Sequence, residues 1–263
     1  MVLFVYINKD DLRAIELSKM MSNKGYYVTS DLKDIEYADI VYLGVKGPDR
    51  KNRINCFDET FILDHVMFSK LKENCLVLTI ACNNYLLEMS NEYHFRYCCL
   101  NDNSYFIDEN SMLCAEGIIA YIIKKRPYSL LKSKIAVFGS GHIASALINV
   151  LLNMNIDSDL CSRKKVTVHH KSSLNIKDMK NLKDYDVIVN TVPALVIDHE
   201  MIDTIKDDAL IIDVASFPYG LDHHYAINAK KNCYVLSSIP SRYAYKYAAD
   251  VMMHVIEDEY NDM

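Results

Sequence analysis

Residues 134–144 read KIAVFGSGHIA: a short apolar run, two glycines separated by one serine, and the start of a second apolar stretch. No other segment restricts the fold as strongly. The run ending at Phe138 predicts a buried strand, and the spacing of apolar residues over 142–153 predicts a helix that opens beside Gly141. A strand that turns within three residues into a helix is half of a βαβ unit, so the chain is directed toward a parallel sheet with right-handed crossovers.

The same alternation fills the rest of the 263 residues. In the first half, strands are predicted at 2–7, in YYVTS, and at 39–45, 75–81 and 95–100, with helices over 10–25, 60–72 and NNYLLEMSNEY. The segment 110–127 predicts a long apolar helix, capped by Asn110 or Ser111 and closed by Lys124, Lys125 and Arg126 ahead of Pro127. Beyond it, strands are expected at 134–138, 158–161, 185–190, 209–215 and 233–237, a helix near 198–206 and a terminal helix over 242–259. The expected fold class is α/β with two domains. A smaller N-terminal α/β domain spans 1–109, on the substrate or partner side. A Rossmann-type, NAD(P)-binding parallel sheet spans 110–239, and a C-terminal helix, 240–263, packs back on the first domain.

A net charge of −6 provides no basic face for nucleic acid. No apolar stretch approaches the roughly 20 residues that span a bilayer, and MVLFVYINKDD lacks the basic start of a signal peptide. A cytoplasmic protein is expected. Eight cysteines contain no CxxC pair and mostly sit in apolar runs, so free buried thiols in a reducing compartment are expected and no metal centre.

GxGxxG is a weak motif that gains weight from context. Gly139 permits a tight turn, and Gly141 keeps a side chain away from a pyrophosphate. Ala144 takes the third position, where only close helix–strand contact is needed. Ser140, His142 and Ile143 complete the loop at the positive end of a helix. An acid would hold a free ribose 2′-hydroxyl at the end of the next strand; the sequence there is CSRKK. Ser162, Arg163 and Lys164, with Lys165 following, suit a 2′-phosphate, which favours NADP over NAD; a solvated basic loop is the alternative. Two more strand ends face the same side: NTVP, with Asn190, Thr191, Val192 and Pro193, and VASFPYG, with Ala215 and Ser216. Asp213 is either a site residue or a buried acid satisfied by backbone N–H groups.

In this order, these motifs resemble the dipicolinate synthase A subunit. The shared pattern comprises Asn110, Ser111, Glu116 and Gly117, the glycine loop, Ser162-Arg163, Asn190-Thr191 with Pro193, Asp213, Ala215-Ser216 with Pro218 and Gly220, and Pro240 with Lys246 and Ala248. Fainter likeness at Asn83 and Tyr85 extends it over nearly the whole chain. The glycine loop, strand-end Arg163 and N-x-x-P are also distantly similar to the shikimate dehydrogenase cofactor domain. The resemblance implies a nicotinamide-dependent oxidoreductase that, with a flavoprotein-like B subunit, makes pyridine-2,6-dicarboxylate in sporulation from a lysine-pathway product. It implies a small dicarboxylate substrate, and it is compatible with a homo-oligomer. The chain departs from the pattern at Asn8-Lys9-Asp10, Leu113, Cys114, Ser241, Tyr245 and Tyr247, mostly outside the cofactor motifs. Two rival readings follow: an NADP-dependent dehydrogenase of another small carboxylate, and a nucleotide-binding regulatory subunit without catalysis.

Catalytic candidates are Glu116, whose carboxyl would be raised by burial in an apolar helix, Asn83, for orienting a substrate carboxylate, and Lys246. Lys46, Arg50, Arg53 and Arg242 are further cations for a dianionic substrate, unless they merely face solvent. His142 either contacts a phosphate, faces the nicotinamide or is an ordinary loop residue. The pairs His169-His170 and His223-His224 are expected to diverge rather than share a metal.

Overall fold

The computed structural model describes residues 2–7, 11–56, 59–168 and 170–261. It divides into two compact units, residues 1–110 with 244–263, and residues 111–243. Asn8-Lys9-Asp10 and His169, singled out above, lie outside the described residues, as does the Cys56 thiol.

The first unit holds β1 (Leu3–Tyr6), α1 (Leu12–Asn23), β2 (Tyr27–Thr29), β3 (Ile40–Tyr42), β4 (Arg53–Cys56), β5 (Glu59–Ile62), α2 (His65–Phe68), β6 (Leu76–Thr79), α3 (Asn84–Tyr93) and β7 (Arg96–Cys99). It also takes the first residues of α4 (Ser104–Lys125). Five strands form a parallel sheet in the order β2-β1-β3-β6-β7, with the β4–β5 hairpin apart from it. Alternate strand residues feed opposite cores. Phe4, Ile40, Tyr42, Leu76 and Leu78 pack on the α1 side, while Val5, Val41 and Val77 pack with Phe68, Leu86 and Met89. A sheet buried on both faces explains why these strands are apolar throughout.

The second unit contains the rest of α4, then β8 (Ile135–Phe138), α5 (His142–Asn153), β9 (Ser158–Ser162), β10 (Thr167–Val168), β11 (Lys171–Ser172), β12 (Leu174–Asn175), β13 (Val187–Asn190), α6 (His199–Thr204), β14 (Leu210–Asp213), α7 (His223–Asn228), β15 (Asn232–Val235) and α8 (Ile239–Tyr243). Its six-stranded sheet runs β12-β9-β8-β13-β14-β15 with parallel pairing. In order of appearance this is 3-2-1-4-5-6, the dinucleotide-binding arrangement. Ile135, Val137, Val187, Val189, Leu210 and Ile212 face α4 and α5, while Ala136, Phe138, Ile188 and Ile211 face α6 and α7. Gly117 lets α4 approach α8: a Cβ there would overlap Ile239 and stand 2.9 Å from Tyr243 Cδ2. The chain returns to the first unit through α9 (Tyr245–Asn261), which packs on α1 with Ala249, Met252 and Ile256 in the same core.

Several expectations are corrected. Residues 60–72 are not one helix but the end of the β4–β5 hairpin and the short α2, which Asp64 caps by accepting from the Met67 amide at 3.0 Å. The helix expected at 110–127 begins at Ser104, where Asn103 accepts from Phe106 N at 3.0 Å. The terminal helix is broken at Ala244 into α8 and α9. The cysteines are not all separate thiols, because Cys82 and Cys99 form a disulfide. The partner strands β6 and β7 set Thr79 opposite Cys99, and three residues later Cys82 turns back over it.

Candidate cofactor site

The strand order of the second unit reverses between β8 and β13, and ligands of open α/β sheets bind beyond the carboxyl ends of strands at that reversal. Here β8 ends at Phe138 and β13 at Asn190. Thr191 ties the two ends together, donating its amide at 2.9 Å and its hydroxyl at 2.8 Å to the Phe138 carbonyl. Gly139, at φ +128°, passes directly beneath that hydroxyl, and a Cβ would overlap Thr191 Oγ1. The backbone conformation and the space both require glycine.

Gly141 differs from Gly139. Its φ is −84°, open to any residue, and a Cβ there would meet no atom within 4 Å. It occupies the N-cap of α5 without a side-chain hydrogen bond. By contrast Asp11, Asn83, Asp198 and Asp222 cap α1, α3, α6 and α7 through their side chains. The first-turn N–H groups of α5 thus point from a bare, exposed loop, with the positive end of a 12-residue helix behind them. This chemistry fits a pyrophosphate. Ser140 and His142 are exposed at the loop, and Ile143 is half-buried.

At the end of β9, Ser162 is buried, its hydroxyl bonded to the Lys164 carbonyl and to Ser173 Oγ. Ser173 also accepts from Val166 N at 3.0 Å. These contacts fold residues 163–166 into a loop that presents Arg163, Lys164 and Lys165 to solvent. Ser162 is therefore a loop organiser, and the three cations are the groups free to meet a ligand charge.

Asn190 and Asp213, both fully buried, join the remaining strand ends at 2.8 Å. Asn190 also brackets Val192, accepting from its amide at 3.1 Å and donating to its carbonyl at 3.0 Å. Asp213 accepts from the amides of Ala215, Gly220 and Leu221 at 2.9–3.1 Å, and His223 Nε2 lies 3.1 Å from it. Of the two readings of Asp213, the buried acid satisfied by backbone N–H groups describes it. Gly220 abuts Asn190 and Val192 so closely that a Cβ would overlap both. One buried pair thus holds both loops, leaving Thr191 and Val192 half-buried, Pro193 and Ser216 exposed, and Ala215 buried. Residue types alone do not reveal His223 as part of this network; it follows from α7 beginning at the end of the loop.

Of the catalytic candidates, Asn83 and Lys246 belong to the first unit and Glu116 to the second. Glu116 is exposed, not buried as expected, because it belongs to the outer stripe of α4 with Met112, Ala120 and Ile123. Lys246 is exposed in the first turn of α9. Asn83 uses both amide hydrogens on the Lys46 and Pro48 carbonyls, at 2.8 and 3.0 Å, and its oxygen on Leu86 N. Its side chain is thus a cap and a loop anchor. Arg53 is paired with Asp49 at 2.8 Å, and that hydrogen-bonded guanidinium holds the Asp49 carboxyl down to about 2. Lys46, Arg50 and Arg242 are exposed. His223 and His224 diverge, toward Asp213 and Asn228 respectively. Of the positions departing from the family pattern, Leu113, Cys114 and Ser241 are buried, while Tyr247 is exposed and donates to Glu109 at 2.9 Å.

No helix among the described residues is long and apolar enough to cross a membrane. No family model matches the sequence. The A subunit of dipicolinate synthase from Bacillus subtilis is 20% identical over 205 residues, 76% of this chain and 69% of that protein. The crystal structure of the Bacillus halodurans dipicolinate synthase A subunit superposes with a TM-score of 0.84 at 20% identity, covering 98% of this chain and 97% of that one. D-lactate dehydrogenase of Escherichia coli shares the fold at a TM-score of 0.62 and 12% identity, over 99% of this chain and 96% of that one. In sequence over three quarters of its length, and in fold over nearly all of it, the chain is similar to the A subunit of dipicolinate synthase.

Proposed function

We propose that this chain is an NADP-dependent oxidoreductase of the dipicolinate synthase A type, acting on a dihydropyridine dicarboxylate together with a flavoprotein-like B subunit. The observation that carries the reading is the bare N-terminus of α5 beside the Gly139–Thr191 contact, at the reversal point of a 3-2-1-4-5-6 sheet. The residues present fit a dinucleotide. The first-turn amides of α5 hold the pyrophosphate, and Gly141 leaves its approach clear. Arg163, with Lys164 and Lys165 beside it, grips the 2′-phosphate. Val192 and Pro193 offer an apolar wall, and the Asn190–Asp213 pair keeps the two loops in place. When bound, NADP supplies the acceptor for a hydride from the substrate ring. In the second unit, Glu116 is an exposed carboxyl available for moving a proton; in the first, Lys246 is an exposed cation suited to a carboxylate.

The test is a fluorescence titration with NADPH and NADH. NADPH is expected to bind about 10- to 100-fold more tightly, the worth of one charge-assisted phosphate contact. Arg163→Ala should remove most of that difference. Gly141→Val should abolish binding of both while changing stability by less than about 1 kcal/mol, because its Cβ enters open space. Equal affinities for the two cofactors in the unaltered protein would defeat the phosphate assignment. Dipicolinate absorbance from the chain mixed with the B subunit, dihydrodipicolinate and NADP tests the reaction itself.

A further inference from the structure

Cys82 and Cys99 are 17 residues apart in sequence, yet their Cα atoms are 5.1 Å apart, within the span a disulfide bridges without backbone movement. Cys82 is exposed, on the turn between β6 and α3; Cys99 is buried at the end of β7. Each sulfur also has a separate acceptor that a thiol would use. Asp102 Oδ1 is 3.3 Å from Cys82 Sγ, and the Ile80 carbonyl is 3.5 Å from Cys99 Sγ. One backbone therefore accommodates both the bonded and the dithiol state. The neighbouring Cys98 does not compete, because successive strand residues point to opposite faces and its side chain packs toward the α1 core. Cys75 and Cys161 are buried, and burial pushes both thiols up to about 12, which removes the thiolate needed for exchange.

We propose that Cys82–Cys99 is a site of reversible thiol–disulfide exchange with a small-molecule thiol couple of the glutathione type. In oxidation, the Cys82 thiolate attacks one sulfur of glutathione disulfide, forming a mixed disulfide and releasing the first glutathione. The Cys99 thiolate then attacks the Cys82 sulfur and releases the second. The protein pair loses two electrons, glutathione disulfide gains them, and the two thiol protons finish on the two glutathione thiols. Reduction is the reverse, entered at the exposed Cys82 sulfur.

The position gives the exchange a structural consequence. Ile80 and Ala81 donate their amides to the Gly44 and Val45 carbonyls at 3.2 and 2.7 Å, and Asn83 holds the carbonyls of Lys46 and Pro48. The segment 80–83 is thus the anchor of the loop 44–48, and the disulfide ties that anchor to β7. Opening the bond removes the covalent tie to β7 and leaves the anchor and the loop that carries Lys46 held by these hydrogen bonds alone.

The experiment uses the full chain in glutathione buffers from reducing to oxidising, quenched with N-ethylmaleimide and read by peptide mass mapping. The expected result is a Cys82–Cys99 crosslinked peptide in oxidising buffer that returns to two alkylated peptides under millimolar reduced glutathione. Amide exchange at Ala81 and Leu86 should be several-fold faster in the reduced protein, and Cys82→Ser should show the fast pattern in every buffer. If that variant does not fold, the mass and exchange measurements on the unaltered chain still decide. Alkylation of Cys82 in oxidising buffer, or a bridge that native protein keeps under reduced glutathione, would overturn the proposal. So would zinc held by the reduced protein so that both thiols and Asp102 are protected, which would make the cluster a metal site. All readouts lie in the first unit and need no nicotinamide cofactor, so they stand or fall apart from the proposed function.

Discussion

The hydroxyl of Thr191 occupies the space that a side chain on Gly139 would need, and the same hydroxyl bonds the carbonyl that precedes that glycine. Gly139→Ala must therefore both displace Thr191 and hold an L-residue at φ +128°. A loss of about 1–3 kcal/mol from overpacking is expected, with backbone strain of similar size added. Thr191→Ala should be milder, and in the double variant the overpacking part should vanish while the strain remains. Urea unfolding of the four proteins measures that coupling. Strict additivity would contradict the contact.

Asp213→Asn is close to isosteric, but it sets an amide hydrogen against donors that a carboxylate satisfies. The Gly220 and Leu221 amides and His223 converge on one oxygen, and Asn190 Nδ2 and the Ala215 amide on the other. Whichever way the new amide turns, at least one donor is left unpaired in a buried place. The expected cost is about 1–3 kcal/mol. Residues 214–221 should lose amide protection ahead of the sheet, and NADPH affinity should fall with them. Unchanged protection at Gly220 and Leu221 would show that the carboxylate does not organise this loop.

Asp186 carries a stability effect with a defined pH sign. Partial burial pushes its carboxyl up, but the Lys206 ammonium at 2.8 Å, the Lys134 amide and Arg126 outweigh it, so it lies below its ordinary value of 3.8. A depressed carboxyl stabilises the fold above its unfolded-state value, and that contribution is lost as pH falls through the folded-state value. Asp186→Asn should cost about 0.5–1 kcal/mol near pH 7, since solvent screens the partly exposed pair with Lys206. Its deficit relative to the unaltered chain should close as pH drops below roughly 4. Chemical denaturation at several pH values provides the check; a deficit constant down to strong acid would assign the loss to packing.

The glycine loop and the strand alternation are legible in sequence because they depend on neighbours along the chain. Gly139, Gly141 and Ala144 announce a strand-to-helix turn without knowledge of what lies beside it. Pairings across the fold are a different matter. Cys82 and Cys99 read as two apolar-run cysteines until β6 and β7 are set side by side. Asn83 reads as a polar residue in search of a ligand until the Lys46 and Pro48 carbonyls are set against it. Glu116 misleads for another reason. The segment 110–127 is apolar enough to look buried all round, and only the packed helix shows that Met112, Glu116, Ala120 and Ile123 form one outward stripe. The hairpin at 53–62 is hidden because Phe61, Ile62 and Leu63 suit a helix or a strand equally over so short a run.

The first unit is assembled from two stretches of chain, residues 1–110 and 244–263, with the second unit interposed whole between them. Its core requires Ala249, Met252 and Ile256 of α9 beside Ala14, Leu17 and Met21 of α1. During synthesis the second unit has every residue it needs while the ribosome is still making α9. The first unit, though begun earlier, has α1 alone of these two helices on that side of its sheet until α9 is made and completes the core. Loss of residues 244–263 would therefore damage the unit that holds residues 1–110 and leave residues 111–243 with their own core.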